Sequence, residues 1–286
     1  MRPDLVSRTE RLRVRSTTPP TALPEKLDHG EPMTPWIAEA SAAEASGIRL
    51  LCFPAAGTGA SFFAPWRAIV SAPIVLCPIR PPGRESRIGE TAYDEMKPLV
   101  DAAVEALVPL LDQPFALFGH CSGSLIAFEF ARLLEKRGSR LPLALLVSAQ
   151  GAPDERTQTS VWNIDELSRP ELLERLRAVG IADETVLGND ELMDLLEPMI
   201  RADVSVADRY HYRPAQPLSV PIAAIGDTAE GDERFSALCG WRRHTAAAFT
   251  LRLVPGSSGY GPDSWMRVGK EVVAEVLQAS TQGQAR

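Results

Sequence analysis

The chain is poor in the residues that build several common kinds of protein. Its 286 residues include four cysteines, Cys52, Cys77, Cys121 and Cys239, and these are widely scattered. They form no CxxC pair and no zinc-type spacing, which argues against a disulfide framework and against a structural metal. No apolar run reaches the ~18 residues of a membrane span. A net charge of −7 leaves no general basic footprint for nucleic acid. The N-terminal arginines are not followed by an apolar h-region, so no secretory signal is expected, and a reducing cytoplasm is the expected compartment. Nucleotide, flavin and metal motifs are missing too, so no bound cofactor is expected. Histidine is scarce: only His29, His120, His211 and His244 are present.

Apolar material is plentiful by contrast. Hydrophobic residues make up 45% of the chain and charged residues 23%, enough for one large domain with a substantial core. Short apolar runs recur at Ile48–Phe53, Ile74–Ile79, Phe115–Phe118, Leu141–Val147, Pro221–Ile225 and Thr250–Val254. Helical patterns lie between them, at about 62–71, 92–111, 124–137, 234–247 and 264–278. Strands that are apolar on both faces and alternate with helices imply a mostly parallel sheet covered on both sides, an α/β architecture. Residues 1–46, rich in arginine and then in proline and small residues, read as a flexible extension. The folded domain is expected over 47–280, with a short tail at 281–286.

One stretch breaks the alternation. Residues 155–212 carry helical patterns without a strand. Ser168-Arg169-Pro170-Glu171 has the form of a capping box with proline in the first turn, and Asn189-Asp190-Glu191 opens another helix. A helical insertion between two strands of such a sheet reads as a lid, or as a plain helical layer without a gating role.

The most telling residues are Gly119-His120-Cys121-Ser122-Gly123, set between the apolar strand Pro114–Phe118 and the helical run Ser124–Leu134. Strand, Gly-x-nucleophile-x-Gly, helix is the layout of a nucleophile elbow. The flanking glycines let strand and helix pack around a sharply turned central residue. That residue is usually serine; here it is Cys121. A helix N-terminus lowers a thiol's pKa, so Cys121 reads as a nucleophile rather than as an inert core cysteine. The second element is Cys52-Phe53-Pro54-Ala55-Ala56-Gly57-Thr58-Gly59, where small residues follow the first strand. In this architecture that loop supplies one oxyanion donor and the residue after the nucleophile supplies the other. The backbone amides of Ala55 or Ala56 and of Ser122 are the candidates.

Taken together, Phe53–Gly57, Pro82-Gly83-Arg84-Glu85-Ser86-Arg87, Phe118–Gly123 and Tyr210-His211-Tyr212-Arg213-Pro214 resemble the type II thioesterases. These are free-standing α/β-hydrolases that work beside polyketide synthases and nonribosomal peptide synthetases. The resemblance spans about 48–278. It implies the α/β-hydrolase fold with a helical lid, and an acyl or peptidyl carrier protein as partner, whose phosphopantetheine arm bears the substrate. A monomer is the family-like expectation. The family's catalytic acid follows a late strand in a Gly-rich turn. Glu230 falls closest to it by spacing, with Asp227 and Asp232 as alternatives. Arg84 and Arg87 are candidates for contact with the carrier or its phosphate, against surface arginines or a structural ion pair.

The family's catalytic histidine lies in Pro-Gly-x-His after the last strand. This chain reads Pro255-Gly256-Ser257-Ser258, with Ser258 at the histidine position. His120 belongs to the elbow motif, where it usually packs beside the nucleophile; His211 ends the lid, and His244 reads as a surface residue. The triad is therefore incomplete. A serine would need the missing base. A thiol near pKa 8.5 keeps a few per cent thiolate unaided, so Cys121 can still take an acyl group from a thioester. Water attack on that acyl-enzyme lacks its base, so transfer or cyclisation stands beside hydrolysis. Two alternatives remain: a non-catalytic carrier-binding pseudoenzyme, and a cyclase or lyase that uses the pocket without covalent chemistry, with Tyr260, Glu230 or Asp232 as acid or base.

Overall fold

A computed structural model describes residues 34–38, 46–155, 162–179, 184–228, 231–255 and 261–284. Six strands, β1 (Ile48–Phe53), β2 (Ile74–Pro78), β3 (Phe115–His120), β4 (Leu145–Ser148), β5 (Ile222–Asp227) and β6 (Phe249–Val254), form one sheet in the order β2-β1-β3-β4-β5-β6. Every neighbouring pair is parallel. Side chains alternate across the sheet, as a period of two requires. Leu51, Phe53, Phe115, Leu117, Leu145, Val147, Ile222 and Ala224 enter one core layer, while Leu50, Cys52, Ala116, Phe118, Leu146, Ala223 and Ile225 enter the other.

Helices α1 (Met96–Leu107) and α2 (Ser122–Lys136) cover the first layer. A 3₁₀ segment, Ala60–Ala68, covers the second with the C-terminal helix. There Trp66 stacks on Trp265 with ring centroids 4.6 Å apart. Each indole N–H finds a backbone carbonyl, Trp66 Nε1 that of Trp265 and Trp265 Nε1 that of Phe62. Large rings can therefore be buried without stranding a donor. No helix among the described residues is long and apolar enough to cross a membrane.

The insertion after β4 is helical: α3 (Arg169–Val179), α4 (Glu184–Leu187) and α5 (Asp190–Asp208). Its ends are built as the sequence suggests. Glu171 Oε2 accepts from the Ser168 N–H at 2.8 Å, and Asn189 Oδ1 accepts from the Leu192 N–H at 3.0 Å. The insertion has a small core of its own, including Ile164, Leu172, Leu176, Met193 and Ile200, and Ala56 packs against it. After β5 come α6 (Gly231–Cys239) and a 3₁₀ turn, Gly240–His244, and after β6 comes α7 (Pro262–Gln284).

Two boundaries differ from expectation. Trp36 and Ile37, assigned to the extension, are buried, and Ile37 bridges antiparallel to Ile79. Helix α7 runs to Gln284, through most of the presumed tail, and its apolar stripe Trp265, Val268, Val272, Val276 packs in the second core layer.

Candidate active site

The position of the site follows from strand order. From β1 the chain crosses outward to β2, then returns to lay β3 on the other flank of β1. The connections after β1 and β3 therefore leave in opposite senses, opening a crevice at the carboxyl ends of these strands, where such sheets bind ligands. The register pairs Phe53 with Gly119, bringing the 54–59 loop beside the elbow.

Cys121 sits at the apex with φ 51° and ψ −126°, immediately before the first residue of α2, and is exposed. A non-glycine residue there costs about 1–3 kcal/mol and persists only if its surroundings enforce it. They do so in two ways. The Cys121 N–H donates to the Ser148 carbonyl at 2.8 Å, and the Ser124 N–H donates to the Cys121 carbonyl at 2.9 Å. Ser124 Oγ meets the carbonyls of Gly119 and Ser148 at 2.8 and 3.1 Å, tying β3 to β4 beneath the bend. The glycines supply the second constraint. A Cβ on Gly119 would overlap the backbone of Gly123 and Ser124, and one on Gly123 would overlap the carbonyls of Phe53 and Pro54.

The candidate oxyanion amides are not equivalent. The Ala56 N–H is already donated to Ser122 Oγ at 2.8 Å, which removes Ala56 as a donor. Among the described residues the Ala55 N–H carries no such commitment, and its carbonyl accepts from the Thr58 N–H and Oγ1.

His120 lies directly before Cys121 but inside the protein, 6% exposed, with its ring against Phe62 and Trp265. Burial pushes its pKa down to about 3, because the charged form would forfeit its hydration. It is a neutral packing residue and a poor base. His244 is not on the surface as expected. It is buried among Phe128, Trp241 and Tyr212, with Nε2 2.8 Å from Asp154 Oδ1. His211 is exposed, with Nδ1 2.7 Å from the Arg209 carbonyl. Asp232 is an exposed residue in the first turn of α6, while Asp227 is buried at the carboxyl end of β5. Glu230, Ser258 and Tyr260 lie outside the described residues.

Arg84 and Arg87 require a correction. Both are buried, 4% and 7% exposed. Arg84 Nη2 and Nη1 clasp Asp203 Oδ1 and Oδ2 at 2.7 and 2.8 Å, and Nη1 also reaches the Thr58 carbonyl at 2.7 Å. Arg87 pairs with both oxygens of Glu90, donates to the Arg80 carbonyl and lies over the Trp36 ring. Guanidinium groups saturated in this way are structural, and they leave no fork for a phosphate. Sequence reasoning passed over Asp203. Its one signal was a carboxylate set among the buried Ile200, Val204 and Val206 of α5.

Comparisons with known proteins identify the family. A family model described as a thioesterase domain matches residues 48–261. The gramicidin S biosynthesis protein GrsT of Aneurinibacillus migulanus is 34% identical over 221 residues, covering 77% of this chain and 86% of that protein. Thioesterase PikA5 of Streptomyces venezuelae is 31% identical over 243 residues, covering 85% of each. Among solved structures, the RedJ thioesterase of the prodiginine pathway in Streptomyces coelicolor superposes with a TM-score of 0.73 at 33% identity, covering 82% of this chain and 87% of that one. The chain belongs to the thioesterase family, within the type II enzymes of polyketide and nonribosomal peptide pathways.

Proposed function

We propose that the protein takes acyl groups from carrier-protein thioesters in polyketide or nonribosomal peptide biosynthesis and holds them on Cys121. The observation that supports this reading best is an exposed cysteine in a strained bend at a helix N-terminus, beside a loop whose Ala55 amide is uncommitted among the described residues. The Cys121 thiolate attacks the thioester carbonyl. The carbonyl π electrons move to oxygen, and the oxyanion accepts from the N–H groups of Ala55 and Ser122. Collapse of the tetrahedral adduct breaks the bond to the pantetheine sulfur, which leaves as a thiolate and is protonated by solvent. One thioester is exchanged for another, so the step is close to neutral in energy and needs no strong base.

Release is the harder half. Water must lose a proton as it attacks, and a positioned base contributes about 10²–10⁴-fold to such a step. His120, held neutral with a pKa of about 3, does not supply it, and serine occupies position 258. The acyl group therefore dwells on Cys121 long enough to pass to an amine, a thiol or an internal carbon nucleophile, with hydrolysis as a slow exit. Glu230 and Asp232 are the carboxylates retained for orienting that acceptor. The partner is an acyl or peptidyl carrier protein, and the enzyme works as a cytoplasmic monomer without a bound cofactor.

Intact-mass spectrometry after incubation with an acyl-loaded carrier protein tests the proposal. A single acyl adduct is expected that maps to Cys121, persists over minutes and disappears in Cys121→Ala. Ser258→His should shorten the adduct's lifetime at least 10-fold. Absence of any adduct, together with unchanged turnover in Cys121→Ala, would refute the covalent route.

A further inference from the structure

The 54–59 loop is held by polar groups as well as by packing. A cavity of about 20 Å³, room for one water, is lined by Ala55, Ala56, Ser122 and Asp203 among others. Packed side chains therefore do not by themselves set the loop's height. The bonds that do set it come from two directions. Ser122 Oγ takes the Ala56 N–H. On the opposite side, Asp203 Oδ2, carried by α5 of the insertion, accepts from the Gly57 N–H at 2.8 Å. Gly57 has φ +73°, so a turn that only glycine takes readily aims this amide at the insertion. Arg84 completes the arrangement by holding both Asp203 oxygens and the Thr58 carbonyl at once. The side chains of Arg84 and Asp203 are only 5% and 12% exposed, so water screens the pair weakly.

We infer that Asp203 is a positioning residue for acyl transfer. Through the Gly57 amide, the insertion helix α5 sets where the Ala55 N–H stands relative to Cys121. Arg84 fixes the Asp203 carboxylate that transmits this position. Hydrogen bonds to an oxyanion depend steeply on donor placement, and losing one donor outright costs about 10²–10³-fold. A loop that is loosened rather than lost should cost less. The inference rests on the covalent Cys121 reading above, and it adds that the insertion sets the oxyanion loop.

The experiment uses the full chain as wild type, Asp203→Asn and Asp203→Ala, with a short-chain acyl pantetheine thioester as acyl donor. Asn keeps an acceptor for Gly57 but loses the charge facing Arg84, so it gives a milder, foldable second variant. Three quantities are read: the single-turnover acylation rate of Cys121, its alkylation rate by iodoacetamide, and hydrogen exchange of the peptide covering the loop. Iodoacetamide uses the thiolate without forming an oxyanion. Asp203→Ala should slow acylation about 10- to 100-fold, with half-saturating substrate within about 2-fold, and Asp203→Asn should fall between it and wild type. Alkylation should stay within about 2-fold, while loop exchange quickens about 10-fold. Unchanged acylation in both variants overturns the inference, and so does alkylation that falls in step with acylation, since that marks a general loss of structure. A wild type that takes no acyl group refutes the Cys121 reading instead. Loop exchange then decides alone: quickened exchange keeps Asp203 as the loop's anchor, and unchanged exchange removes it.

Discussion

The elbow around Cys121 and the loop at 54–59 face each other across one crevice but owe their positions to different forces. The elbow is set by steric closeness on top of the hydrogen bonds of Cys121 and Ser124 beneath it. Helix α2 approaches β1 so tightly that a methyl group on Gly123 would overlap the carbonyls of Phe53 and Pro54. The loop is set by directional bonds, from Ser122 on one side and Asp203 on the other, with a small cavity alongside. Sterics give a position that hardly yields until it breaks. Hydrogen bonds give one that can be loosened by degrees, because each bond contributes about 0.5–1.5 kcal/mol net.

The largest effect that would break this contrast is expected for Gly123→Ala. The added Cβ must push α2 away from β1, and displacing reacting groups by ~1 Å can cost 10²-fold. Acylation of Cys121 should fall at least 100-fold, with a stability loss of about 1–3 kcal/mol from overpacking in urea unfolding. A normal rate in this variant would mean that the elbow is as compliant as the loop.

The next effect concerns the buried ring under the elbow. His120 has a folded-state pKa of about 3 against an ordinary 6.5, lowered by burial. Between these values the unfolded chain binds a proton that the folded chain refuses, so stability present above about pH 6.5 is lost as pH falls toward 3. The slope is about 1.4 kcal/mol per pH unit from this group. Urea unfolding at pH 6.5 and pH 5 should thus differ by about 2 kcal/mol more in wild type than in His120→Gln. Equal pH dependence would show that the ring is hydrated and that the elbow's underside is not closed.

The smallest effect sharpens the other half of the contrast. Ser122→Ala strands the Ala56 N–H and should cost about 1 kcal/mol. Acylation should slow about 5-fold while iodoacetamide reactivity is kept. An acylation rate that falls as far as in Gly123→Ala would place Ser122 with the elbow rather than with the loop.

Much of this was readable in the chain before folding. All six strands fall within a few residues of the apolar runs, because a strand covered on both faces must be apolar throughout. The glycines at 119 and 123 announced the elbow, since a close approach of two backbones leaves no alternative residue there. The helix starts at Ser168 and Asn189 were likewise visible, because capping acts over three residues. The arginines were harder. Arg84 looks the same in sequence whether it waits for a phosphate or holds a carboxylate, and its partner Asp203 lies 119 positions away. His244 was hidden for the same reason: its neighbours Phe128, Tyr212 and Asp154 come from three other segments.

Local sterics and periodicity act within a few residues, so the sequence alone determined the sheet, the helical insertion and the bend at Cys121. Charge pairing, burial and the commitment of backbone amides depend on segments that meet only after the chain closes. The tertiary structure alone therefore decided that Arg84 faces inward, that His120 stays neutral, that Ala56 is spoken for, and that a carboxylate on the insertion reaches the loop beside the thiol.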